Sequence, residues 1–335
     1  MSKILYLSCH SILEFDETKL LTELGHEVFS HGAYVNPQAP QDIKRPSTDA
    51  KYNEHMAVLA TRFSKDKLSE EMIAWADTII VQHVPEWIIN NWDQIKHKNV
   101  IWRTIGQSTA ATEILLADYR YEGMKIVRYS PKEKNIQMNL GEDAMIRFYK
   151  DPEEYKDWNG NVERVITLGQ AIQKRGVFCN YQAFEAATAP YPRIVFGADN
   201  DDLGAMWGGQ LSYEDLKKEL RDNRVFLYTG TQPASYTLGF IEAMMTGIPI
   251  VAVGNEIGNS LFKQEQNTYE IPEIIDSGLS GFVSDSIEVL SDKVGQLLKD
   301  ESLRKRVSEA GRARAIELFG KETIKKQWET FLNSL

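Results

Sequence analysis

The sequence predicts an α/β protein made of two successive domains, each a mostly parallel sheet flanked by helices. Three observations predict it. Its 335 residues are about twice the length of a common domain. Short β-rich apolar runs alternate with helix-like periods along the chain. That alternation breaks at the polar stretch Lys150–Asn161, the best candidate linker, and then restarts.

In the first part, Ile4–Leu7 reads as a strand and Asp16–Leu24 as a helix that Gly25 closes as a C-cap, with a second strand over His26–Phe29. Gly32–Asn53 holds three prolines and no period, so a long functional or mobile loop is expected there. A helix follows over Lys67–Trp75, with strands at Thr78–Gln82, Val100–Trp102 and Lys125–Tyr129. After the linker, strands are expected at Arg164–Leu168, Arg193–Phe196, Val225–Tyr228 and Ile248–Val253. Helices are expected at Gln182–Ala187, Tyr213–Leu220 and Leu238–Met245 between them. Leu290–Leu298, Leu303–Leu318 and Ile324–Leu332 close the chain as helices, the last carrying Trp328 and Phe331. The expected division is 1–160, 161–318 and a final helix within 319–335 that returns to the first domain.

Composition narrows the function classes. No run reaches the ~18 apolar residues of a membrane span, and the first apolar run is too short for a secretory leader. Cys9 and Cys179 stand too far apart for a metal-binding pair, so both are expected to be core thiols of a cytoplasmic protein. The net charge is -10, and residues 1–160 and 161–335 each carry 19 basic and 24 acidic side chains, which disfavours nucleic acid as a partner without excluding it. All six histidines fall in the first 97 residues.

Thr229–Val253 is the most informative stretch: strand, loop of small residues, helix, Gly-x-Pro, strand. A loop running into a helix N-terminus offers backbone N–H groups and a positive dipole end to a phosphate. Ser235 and Thr237 add hydroxyl donors. Glu242, five positions on, offers a carboxylate to ribose hydroxyls, although an ordinary cap with a solvated Glu reads the spacing equally well.

Gly239-Phe-Ile-Glu-Ala-Met-Met-Thr-Gly-Ile-Pro-Ile-Val-Ala252 resembles the donor-site signature of the retaining GT-B glycosyltransferases of group 1, a Glu, seven residues, a second Glu, then Ala-Met-Ala-x-Gly-x-Pro. The likeness continues through Pro272-Glu273-Ile274-Ile275, Gly278, Gly281-Phe282-Val283, Arg304, Gly311-Arg312 and Phe319, covering about residues 162–335. It implies two Rossmann-like domains facing a central cleft, with the acceptor on the first and the nucleotide sugar on the second. It implies Ser235, Tyr236, Thr237 and Leu238 near a pyrophosphate and Glu242 at the ribose. Leu168-Gly169-Gln170 and Lys174-Arg175-Gly176 resemble the family's Gly-Arg and Lys-Gly pair, with Arg175 or Lys174 in the lysine position and Gly169 in the loop. Two departures stand out: Gln170 replaces the arginine, and Ala234 occupies the place of the first Glu.

In the first domain, His10, His83 and Arg103 are candidate catalytic residues because each ends or follows a strand; a structural hydrogen bond explains each equally well. Asp199–Gly204 resembles the start of a calcium loop but has Gln210 where a bidentate Glu is needed. P-loop, serine-hydrolase and zincin motifs are absent from the sequence. The expectation is transfer of a sugar from a nucleoside-diphosphate sugar to an acceptor hydroxyl with retention, using neither metal nor cofactor. The alternatives are a non-catalytic nucleotide-sugar binder, an enzyme glycosylating modified DNA bases, and a sugar-nucleotide epimerase.

Overall fold

The computed structural model describes residues 1–30 and 67–335. The expected loop Gly32–Asn53, with His31 and His55, lies outside the described residues. The chain divides into two compact units: Met1–Phe148 with Glu322–Leu335, and Tyr149–Lys321.

The first unit runs β1 (Lys3–Leu7), α1 (Ser11–Glu23), β2 (Glu27–Ser30), α2 (Glu70–Trp75), β3 (Thr78–Gln82), α3 (Glu86–Ile89), α4 (Trp92–Ile95), β4 (Asn99–Arg103), α5 (Ala110–Tyr121), β5 (Lys125–Arg128) and β6 (Ala144–Met145). Among the described residues its sheet is parallel throughout, in the order β2-β1-β3-β4-β5-β6. Ile79, Ile80 and Val81 are all fully buried, as expected where helices cover both faces of a parallel sheet. Gly25 takes a positive φ of 86° just past α1, a conformation open to glycine and strained for other residues. Ser69 caps α2 by accepting from the Met72 N–H, so this helix starts later than the sequence pattern suggests.

The second unit runs β7 (Val162–Leu168), α6 (Tyr181–Thr188), β8 (Arg193–Phe196), α7 (Tyr213–Asp222), β9 (Asn223–Tyr228), α8 (Leu238–Thr246), β10 (Ile250–Val253), α9 (Asn255–Gly258), α10 (Ile271–Ile274), β11 (Phe282–Ser284), α11 (Ile287–Lys299) and α12 (Glu301–Phe319). Its parallel sheet has the order β11-β10-β9-β7-β8. Residues Phe240 to Thr246 of α8 are buried on every side, with α12 packed along the helix. The last helix, α13 (Lys321–Leu332), contributes Trp328 and Phe331, both buried, to the first unit.

Within Lys150–Asn161, the stretch read as a linker, Lys150 and Tyr155 are 2% and 1% exposed and their polar atoms have partners inside the second unit. One expectation is corrected. Cys9 is exposed rather than a core thiol, while Cys179 is buried. Among the described residues no helix is long and apolar enough to cross a membrane, and no group of His, Cys, Asp and Glu is arranged to hold a metal ion.

Candidate functional site

In an open parallel sheet, ligands collect at the carboxyl ends of strands where the connections leave in opposite directions. In the second unit that place lies between β7 and β9, since β7 connects to β8 on one side and the chain then returns to β9 on the other. The loops there are 169–180 and 229–237, and the second leads into α8.

Hydrogen bonds lace these loops together. The Gln232 N–H donates to the Phe178 carbonyl (2.8 Å) and its amide Nε2 to the Val177 carbonyl (3.0 Å) and Asn180 Oδ1 (3.1 Å). Thr229 Oγ1 donates to the Cys179 carbonyl and Asn180 Nδ2 to the Thr229 carbonyl, both at 2.7 Å. Asn200, fully buried, fixes the start of the first loop: its Nδ2 donates to the Gly169 carbonyl (2.7 Å) and its Oδ1 accepts from the Ile172 N–H (2.7 Å). Gly197 must be glycine here, because its φ is 136° and a Cβ would sit 2.3 Å from the Gly169 oxygen.

Thr237 caps α8 and its hydroxyl accepts from the Phe240 N–H (3.4 Å). Leu238 opens the helix, half-buried, and Ala234 is half-buried beside Ser235. Ser235 is fully buried, and its carbonyl accepts from the N–H of Glu270, an acid 3% exposed. Tyr236 is 2% exposed, its ring edge-on to Phe319 at 5.3 Å.

The two basic candidates differ. Lys174 donates to Asp201 Oδ1 (2.5 Å) and the Asp199 carbonyl (3.0 Å), and Asp201 raises the lysine above its ordinary range. The acidic stretch read as a possible calcium loop thus carries a lysine ammonium. Gln170, in the arginine position, donates to Asp199 Oδ2 at 2.9 Å. Arg175 is exposed and has no ion pair among the described residues.

Glu242 is 3% exposed, so it is no solvated helix residue. Its Oε1 lies 2.8 Å from Lys150 Nζ and accepts from the Tyr155 hydroxyl at 3.0 Å. Sequence reasoning missed both partners. Tyr155 stands 87 positions before Glu242, and no local period links such residues. Asn200 and Gln232 were missed for the same reason.

The first unit has its own reversal between β1 and β3, which pair in register, and His10 and His83 follow those two strands. Ser8 Oγ bridges the strand ends by donating to Gln82 Oε1 at 2.7 Å. His10 is the N-cap of α1, its Nδ1 accepting from the Leu13 N–H (3.4 Å). His83 has a φ of 57°, and burial lowers its imidazole below the usual range, partly opposed by Gln107 and Glu86. Arg103 is fully buried: Nε and Nη2 donate to Glu17 Oε1 at 2.9 and 2.6 Å, and Nη1 to the Ile146 carbonyl at 2.7 Å. Its guanidinium lies 4.8 Å from the Phe148 ring centre and 5.5 Å from that of Trp328. The structure brings His10 and His83 to neighbouring strand ends and turns Arg103 into the core.

Residues 204–314, which include α8 and its flanking loops, match the family model of glycosyl transferases group 1. A curated relative, the N-acetyl-alpha-D-glucosaminyl L-malate synthase of Bacillus anthracis, is 34% identical over 103 residues, 30% of this chain and 23% of the relative's own length. Among solved structures, a sucrose-phosphate synthase from Thermosynechococcus elongatus superposes with a TM-score of 0.69 at 14% identity, over 100% of this chain and 99% of the other. The Anabaena protein HepE in complex with UDP-glucose gives 0.67 at 15% identity over the whole of both chains. An alpha-glucosyltransferase in complex with UDP-glucose and DNA containing an abasic site gives 0.61 at 13% identity, over 99% of each. With two parallel sheets flanked by helices and these likenesses along its length, the chain has the GT-B fold.

Proposed function

We propose that the protein is a glycosyltransferase that moves a sugar from a nucleoside-diphosphate sugar to an acceptor hydroxyl with retention of configuration. The observation that carries this reading is the convergence of the Thr237-capped N-terminus of α8, which lies within the stretch 204–314 that matches the group 1 model, with the loop 169–176 and exposed Arg175 at the reversal point of the sheet.

The chemistry follows from those groups. Departure of a nucleoside diphosphate leaves negative charge on its phosphates. Helix-terminal N–H groups and a guanidinium stabilise that charge without reorganising. Arg175 takes the phosphate position; Lys174 joins only when the diphosphate draws it from Asp201. Glu242 accepts from the ribose hydroxyls. The first unit receives the acceptor, with His83, kept neutral by burial, orienting the hydroxyl.

The test is nucleoside diphosphate release from UDP-, GDP-, ADP-, CDP- and dTDP-sugars, with the anomer of any product read by NMR. Release from one donor, reduced on the order of tenfold or more in Arg175→Ala, is expected. Neither release nor a thermal shift with any donor overturns the proposal. Binding without turnover on any acceptor establishes a binder, and a product formed without acceptor an epimerase.

A further inference from the structure

We propose that Lys150, seconded by Tyr155, is the positioning residue that keeps Glu242 ionised and aimed at the ribose of the donor. The inference rests on the reading that α8 receives a nucleoside diphosphate. A carboxylate 3% exposed is stable in its charged form only when paired. Lys150, itself 2% exposed, supplies the charge at 2.8 Å, and the Tyr155 hydroxyl supplies a second donor to the same oxygen at 3.0 Å. Two donors converging on one oxygen fix the plane of the carboxylate.

The donors are themselves held. The Lys150 N–H donates to the Phe319 carbonyl (3.0 Å), its backbone bridges to Gly320, and its ammonium lies 5.5 Å from the centre of the Tyr155 ring. Arg312 of α12 donates to the carbonyls of Tyr155, Met245 and Pro152, tying the segment that carries both donors to the helix that carries Glu242. The pairing also has an electrostatic consequence. Glu242 sits in the second turn of α8, behind the N–H groups that meet the phosphates, where a bare carboxylate repels a diphosphate. Lys150 cancels that charge and leaves the oxygens as acceptors.

The experiment is calorimetric titration of UDP, GDP, ADP and CDP, each against its 2′-deoxy and 3′-deoxy counterpart. The proteins are wild type, Lys150→Met, Tyr155→Phe and Lys150→Arg, with circular dichroism to confirm folding. Charge-assisted hydrogen bonds from ribose predict that wild type favours the ribonucleotide on the order of tenfold. Lys150→Met and Tyr155→Phe are expected to lower that ratio to below about threefold while pyrophosphate binding persists, and Lys150→Arg to restore part of it. Tyr155→Phe removes one oxygen only, so the test stands even where Lys150→Met fails to fold. A purely structural role moves the melting temperature and leaves the ratio alone; that outcome overturns the inference. So does a wild type that binds a diphosphate without favouring ribose. A wild type that binds none of the four fails the functional reading as well.

Discussion

The two sheets treat the charged residues at their strand ends in opposite ways. In the first unit they turn inward. Arg103, at the end of β4, pairs with Glu17, whose other oxygen accepts from Tyr6. Arg128, at the end of β5, pairs bidentately with Glu113 at 2.9 and 2.8 Å, and Glu133 is buried beside Thr104 and Tyr129. In the second unit the loop beyond β7 leaves Lys174 and Arg175 exposed. A cation after a strand is therefore open to a ligand only where the surrounding structure leaves it outside. Position along the sequence does not separate the two cases, and neither does a carboxylate partner, since Lys174 has Asp201; the burial of the pairs that Glu17 of α1 and Glu113 of α5 make does.

This contrast can be broken at Arg103. Arg103→Met leaves Glu17 charged, buried and without its guanidinium, and unfolding in urea is expected to show a loss of about 3–5 kcal/mol. Adding Glu17→Met is expected to recover much of it. An Arg103→Met protein as stable as wild type places this residue with the outward-facing cations instead.

A pH titration sharpens the picture at Glu133. Burial raises its carboxyl from the ordinary 4.5 to about 7, against the lowering influence of Arg128 and Thr104. The folded state thus holds a proton that the unfolded state has released, and stability falls as pH rises between roughly 4.5 and 7, then levels off. A shift of this size is worth about 3 kcal/mol. Glu133→Gln is expected to flatten this component and to be the more stable protein above pH 8. Parallel stability curves for the two proteins between pH 5 and 8 refute the assignment.

The smallest effect belongs to the second unit. Lys174→Ala removes an exposed pair, and the melting temperature is expected to change by less than about 1 °C, in contrast to Arg103→Met. A larger drop means that the Asp199–Asp201 stretch relies on this lysine for its shape.

Nine of the eleven strands among the described residues were legible because both sheets are parallel, so a strand reads as a compact apolar run such as Thr78–Gln82 or Val225–Tyr228; the edge strands β6 and β11, two and three residues long, were too short to show one. The α8 region was legible through its small-residue loop and Gly-x-Pro exit. The environment of Glu242 was not. Its partners Lys150 and Tyr155 lie in a polar stretch rich in turn residues, and their contacts are with residues distant in sequence: Phe319 and Gly320 for Lys150, Tyr213 for Tyr155, and Glu242 for both. Asn200 was hidden in the same way, within an acidic run that looks solvated. The short helices α3, α4, α9 and α10 carry too few residues to show a period.

Asn200 has a consequence for the speed of recognition. By gripping Gly169 and Ile172 from inside, it sets the contour of their loop before any guest arrives. Under the proposed function, a diphosphate reaching this loop meets a backbone already ordered, so association is expected to follow a single exponential whose rate rises linearly with concentration, with no slow reordering phase. Asn200→Ala would move that ordering into the encounter itself, appearing as a rate that saturates.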